Sequence, residues 1–254
     1  VNDNGLSLTV NAVAVIDLEG DMIYVNRSFL QMWGYYSDKD MDRDIVNTWL
    51  EWAVTASTLR YLNRYLQIHS GGVVKDGKAM IFIGESGAGK TSLLIGLSMM
   101  GLSLLSDDIN LLDKDCHSII PYPRNFLIKE DIINHIPQIV PFLNKTKGHF
   151  QSGKGKVWYL DPFLLGSGLY FKPSTPSEII ILERSKTPET DIWEASKAEM
   201  AIPLLKAVFN PVSKESDIMK FLPLLLREVK CYRISIGSLK EGVNKIINLL
   251  DRRR

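Results

Sequence analysis

The segment 79–91, Ala79-Met80-Ile81-Phe82-Ile83-Gly84-Glu85-Ser86-Gly87-Ala88-Gly89-Lys90-Thr91, constrains this chain more than any other stretch. Its apolar opening reads as a buried strand, and the residues from Thr91 to Met100 carry helical spacing. Between them lies G-x-x-x-x-G-K-[ST], the phosphate-binding pattern of nucleoside triphosphate proteins. Glycines let the backbone curl so that N–H groups converge on an anion, and the following helix adds the positive end of its dipole. The expected cradle is Gly84, Glu85, Ser86, Gly87, Ala88, Gly89, Lys90, Thr91 and Ser92. Within it Lys90 reaches the β- and γ-phosphates, and the Thr91 hydroxyl binds Mg²⁺. A glycine-rich turn without a ligand is the competing reading, and the flanking strand and helix patterns argue against it.

Composition narrows the classes. A chain of 254 residues, 45% hydrophobic and 23% charged, has material for one large domain or a domain with an appendage. A net charge of +1 gives no overall footprint for nucleic acid or an anionic membrane. Cys116 and Cys231 have no metal spacing and suggest no disulfide framework. No apolar run reaches the roughly 18 residues of a membrane span, and residues 1–5 lack signal-peptide character. A cytoplasmic protein binding neither nucleic acid nor membrane is the expectation.

Residues 8–25 alternate like strands around a turn at 17–21. The pattern from Ile16 to Leu30 resembles a PAS sensor domain. It fades within about 35 residues, short of the roughly 100 of a whole module, so a small β-rich subdomain over 1–43 is expected. From 44 to 69, Val46, Trp49, Leu50, Ala53, Leu59, Leu62, Tyr65 and Leu66 recur at helical intervals. A short strand and turn are expected at 71–77, and strands at 102–105, 109–112, 178–182 and 230–235. An interrupted helix is expected at 128–143, broken by Pro137 and Pro141, with further helices at 194–209, 214–228 and 238–250. Residues 144–156 form a polar stretch rich in glycine and lysine that is expected to be mobile. The order is a β-rich start, an α/β core over 44–254 and a helical tail.

A phosphate loop does not specify the chemistry. The acidic pair Asp107-Asp108 follows the strand that comes after the loop helix, where one carboxylate can hold Mg²⁺ through water and the other can take a proton from an attacking hydroxyl. His69 precedes the loop strand. His69, the loop Gly84-Glu85-Ser86-Gly87-Ala88-Gly89-Lys90-Thr91 with its Glu-Ser pair, and Asp107-Asp108 together resemble the catalytic domain of the HPr kinase/phosphorylase family, over residues 69–128. The resemblance implies a P-loop α/β core related to phosphoenolpyruvate carboxykinase, use of ATP and Mg²⁺, and transfer to a serine of a peptide or protein. It makes Asp108 the general base, places Asp107 with Thr91 at the metal, puts Lys90 on the phosphates, and gives His69 a supporting role. Hexamers occur in the family, which leaves a homo-oligomer open, although no interface can be read from the sequence.

The chain departs from the family's pattern after the acidic pair. Bifunctional members carry a glycine-rich segment there, whereas residues 121–128 read Pro-Tyr-Pro-Arg-Asn-Phe-Leu-Ile. The reverse reaction is therefore not expected. The chain looks more like relatives that phosphorylate a ribosomally made precursor peptide, such as a lasso peptide. Arg124 and the lysines 145, 147, 154 and 156 are candidate anion contacts or solvated charges. His117, His135 and His149 share no metal spacing. Two other functions stay open: a nucleotide-dependent switch without transfer, and a kinase of a small alcohol.

Overall fold

The computed structural model describes residues 14–16, 22–32, 34, 36–37, 43–113, 118–143, 148–151, 155–209 and 215–251. In chain order these form strands β1 (Ala14–Ile16) and β2 (Met22–Val25), helices α1 (Arg27–Met32) and α2 (Arg43–Tyr61), and strands β3 (Leu66–His69), β4 (Gly71–Lys75) and β5 (Lys78–Gly84). Helix α3 (Lys90–Met99) follows, then β6 (Ser103–Ser106), β7 (Ile109–Leu112), β8 (Ile119–Ile120) and β9 (Phe126–Lys129), with short helices α4 (Glu130–His135) and α5 (Val140–Leu143). Next come β10 (His149–Gln151), β11 (Gly155–Leu160), β12 (Thr175–Arg184) and β13 (Asp191–Glu194). Helices α6 (Lys197–Ala207) and α7 (Glu215–Glu228), strand β14 (Lys230–Ile236) and helix α8 (Leu239–Asp251) close the series. They fall into two compact units, Val1–Thr58 with His149–Val157, and Leu59–Gly148 with Trp158–Arg254.

In the first unit β1 and β2 pair antiparallel, Ala14 opposite Val25. Asn26 starts α1: its side-chain oxygen accepts the Phe29 N–H at 2.9 Å, an N-cap bond that satisfies an otherwise unpaired amide. The expected hairpin near 8–25 is present at 14–16 and 22–25; residues 8–10 lie outside the described set. Within the stretch 144–156, expected to be mobile, Phe150 pairs antiparallel with Lys156 and Gln151 with Gly155. Lys145, Lys147 and Lys154 lie outside the described residues.

The second unit is built on a mixed six-stranded sheet in the order β13-β14-β12-β5-β4-β6. Its centre is parallel, with β12 between β5 and β14. Strands covered on both faces need apolar residues at consecutive positions, and 79–83 and 179–182 meet that demand. Ala79, Ile81, Ile83, Ile179 and Ile181 pack with Met200 and Leu204 of α6 and Leu225 of α7. Met80, Phe82, Ile180, Leu182 and Ile234 face the other way, onto Leu93, Leu94 and Leu97 of α3 and Val243 and Ile246 of α8. The result is an α/β layer arrangement with helices on both faces.

Two expectations are corrected here. Helical spacing carried the helix through Leu66, but α2 stops at Tyr61 and Leu66–His69 is a strand paired antiparallel with β7, His69 opposite Ile109. Pairing in a three-stranded sheet, β3-β7-β8, outweighs the local periodicity. In the C-terminal part the expected helices are α6, α7 and α8 and the strand expected at 230–235 is β14, but β13, which pairs antiparallel with β14 at the edge of the main sheet, was not expected. A Ser196–Glu199 capping box starts α6 at Lys197 rather than at 194. No helix among the described residues is long and apolar enough to cross a membrane.

Candidate functional site

The loop 85–89 joins the end of β5 to the start of α3. Gly87 and Gly89 have φ of 85° and 94°, the left-handed region that a side chain disfavours. The Ala88 N–H donates to the Glu85 carbonyl at 3.1 Å, and the Leu93 N–H to Gly89 at 2.9 Å. The helix begins at Lys90 with no side-chain cap on its first turn, so its leading amides are available to an anion. Glu85, Ser86 and Gly87 are exposed, Gly84, Ala88, Gly89, Thr91 and Ser92 half-buried, and Lys90 buried.

The acidic pair occupies a corner where the chain passes from one sheet to another. Strands β6 and β4 pair in the large sheet, Gly72 opposite Ser106. Strands β7 and β3 pair in the three-stranded sheet. Both connections change sheet at one place, through 107–108 and through Ser70, whose N–H donates to the Asp108 carbonyl at 3.0 Å. The crossing brings His69, Asp107 and Asp108 together, and α3 brings Lys90 and Thr91 to them. Lys90 Nζ lies 3.2 Å from His69 Nε2, and the Thr91 hydroxyl donates to Asp107 Oδ2 at 3.2 Å. An ammonium can only donate, so Nε2 accepts and the imidazole proton sits on Nδ1.

The two aspartates differ. Asp107 is 4% exposed, and its carboxyl is pushed up to about 7, first by burial and next by the charge of Asp108; the Thr91 hydrogen bond, Lys90 and Arg124 oppose the rise. Asp108 is half-exposed. Burial also lowers Lys90, against the pull of Asp108 and Asp107. His69, exposed on one side, is lowered by the buried part of its ring and then by Lys90, against Asp108. Repulsion by Asp108 thus adds to burial at Asp107, the member turned inward.

Asp107 Oδ1 is buried and accepts no hydrogen bond. With the Thr91 hydroxyl it offers the hard oxygen donors Mg²⁺ takes, one or two from the protein and the rest from phosphate and water. These residues fit the ion. Among the described residues no group of three or more His, Cys, Asp or Glu side chains forms a separate metal site.

The remaining candidates lie elsewhere or act at a distance. Arg124 is half-buried and its charge is felt at Asp107. Lys156 is exposed. His135 contacts the Asp131 carbonyl on the exposed face of α4, and Cys231 is buried under α6 and α7. Cys116 and His117 lie outside the described residues. Sequence reasoning missed Ser70, Ser106 and Asn110, the polar residues that stitch the corner. Their role depends on strand crossing, which leaves no local pattern.

A family model described as a PAS domain matches residues 7–64. The match takes in β1, β2, α1 and α2, and residue 43, the expected end of the β-rich subdomain, falls inside it. No curated relative matches the chain. Among solved structures, the HPr(Ser) kinase/phosphatase from Coxiella burnetii is similar over 73% of this chain and 98% of that one, at 14% identity and a TM-score of 0.35.

Proposed function

We propose that this chain is an ATP- and Mg²⁺-dependent kinase that transfers the γ-phosphoryl group to a serine hydroxyl of a peptide or protein. The observation that carries the reading is the meeting of Lys90 and Thr91, from the loop helix, with His69, Asp107 and Asp108 at one corner. The loop amides and Lys90 bind the phosphates and orient the terminal group. Thr91 and Asp107 would hold Mg²⁺, which would supply neutralisation of phosphate charge. Half-exposed Asp108 accepts the proton of the incoming hydroxyl as its oxygen bonds to phosphorus. The bond to the β-phosphate oxygen breaks, and ADP leaves with that electron pair. His69 holds Lys90 in place.

A second reading is supported by the PAS match over 7–64: an N-terminal sensor unit coupled to a nucleotide site that switches without transfer. Incubation with γ-labelled ATP, Mg²⁺ and a panel of acceptors separates the two. The panel contains HPr, serine-containing peptides, free serine and simple alcohols. Label on a peptide or protein serine supports the kinase. Label on a small alcohol would move the substrate class, and tight ATP binding without label on any acceptor would favour the switch.

A further inference from the structure

We propose that Asn110 is a positioning residue for this site, forming with Ser70 a buried latch that holds His69 and Asp108 beside Lys90. The catalytic consequence rests on the kinase reading above; the latch itself rests on the hydrogen bonds.

Asn110 lies on β7 opposite Ile68 of β3 and is fully buried. Its Nδ2 donates to the Ser70 carbonyl at 2.8 Å and to the Ser70 hydroxyl at 3.0 Å. A carbonyl only accepts, so the nitrogen end of the amide must point there. The Ser70 hydroxyl donates a hydrogen bond to the Ile68 carbonyl at 3.2 Å, while the Ser70 N–H donates to the Asp108 carbonyl. Across the corner the Ile109 N–H donates to Ser106 Oγ at 3.1 Å. The residues on both sides of His69, and on both sides of the acidic pair, are thus tied by side chains at the place where the strands change partners.

The amide is used at one end: Nδ2 directs both of its hydrogen bonds to Ser70, while buried Oδ1 has no protein partner. The amide lies against the β4 backbone: a Cβ on Gly72 would stand 2.8 Å from Oδ1. An amide whose donor bonds both end on Ser70 fixes the segment that carries His69 and Asp108.

The test compares wild type with Asn110→Leu and Ser70→Ala by melting, affinity for a fluorescent ATP analogue, transfer kinetics and the NMR resonances of the His69 ring. The latch predicts folded proteins with nucleotide affinity within about threefold of wild type. For Asn110→Leu it predicts kcat lowered by up to about 100-fold, the scale of a small misplacement, an acceptor KM little changed, and displaced His69 resonances. Ser70→Ala moves the same readouts less. Wild-type kcat and His69 resonances in both variants would overturn the latch. If Asn110→Leu does not fold, Ser70→Ala decides by the same readouts. Should wild type transfer nothing, the kinase reading fails, and the His69 resonances alone judge the latch.

Discussion

The two halves of the candidate site are built in opposite ways. The nucleotide half is one contiguous segment, 84–92, whose shape follows from its own glycines and the start of α3. The acidic half is assembled from 67–71 and 106–110, which meet only because β3–β4 and β6–β7 change sheets together. A local loop can be altered residue by residue with local effects. A corner laced by Ser70, Ser106 and Asn110 transmits an altered strand to the groups it carries. The first half should govern affinity and the second turnover.

The largest expected break is at Lys90. Lys90→Met removes the buried ammonium, and ATP affinity should fall about 100-fold, the worth of a strong charge-assisted contact, as read by titration with a fluorescent analogue. His69→Ala should leave affinity within a few fold and reduce transfer about tenfold, because Lys90 loses its guide; an effect on affinity alone would move His69 to the nucleotide half. The next comparison makes one change in both halves. Gly89→Ala meets no neighbour within 4 Å but must hold φ at 94°, so it should cost about 1–2 kcal/mol and weaken nucleotide binding. Gly72→Ala would press on Asn110 Oδ1 at 2.8 Å, costing about 1–3 kcal/mol by overpacking, and should lower turnover with affinity retained. Matching kinetic profiles for these two variants would erase the division.

The smallest effect concerns Asp107. Burial and Asp108 raise its carboxyl from 3.8 to about 7. Between those values the folded state binds more protons than the unfolded chain, so the contribution of Asp107 to stability falls as pH rises from about 4 to about 7. Asn cannot ionise. Nucleotide-free Asp107→Asn should therefore melt higher than wild type at pH 8, and the gap should close toward pH 5. His69, with its lowered value, acts in the other direction below its unfolded value of 6.5, but it is common to both proteins and drops out of the difference.

The legibility of the sequence follows the same division. Segment 79–99 could be read directly because strand, loop and helix are each local: an apolar run, glycines at the turn, then helical spacing. Asp107 and Asp108 were legible as a pair at a strand end, but not which of them turns inward, since that depends on the contact between Thr91 and Asp107. Leu66 fitted a helix by spacing and became a strand by pairing with Leu112. Four-residue strands such as β3 and β13 carry too little pattern to compete with a neighbouring helix. Spacing sets the start of α6 at 194, although Ser196 and Glu199, whose reciprocal bonds cap the helix at Lys197, carry the local signal for it. Asn110 carries no such signal, because nothing in the string of residues says that its neighbour in space is Ser70.

The central claim is that the corner turns over what the loop binds, and Asp108→Asn tests it most directly. ATP affinity and the rate of γ-phosphoryl transfer to a serine acceptor are measured on the same preparation, beside wild type. The account predicts affinity within a few fold of wild type and transfer reduced by at least about 100-fold, the scale of a lost general base. Undiminished transfer in the variant, or a loss of affinity that explains the whole decline, would contradict it.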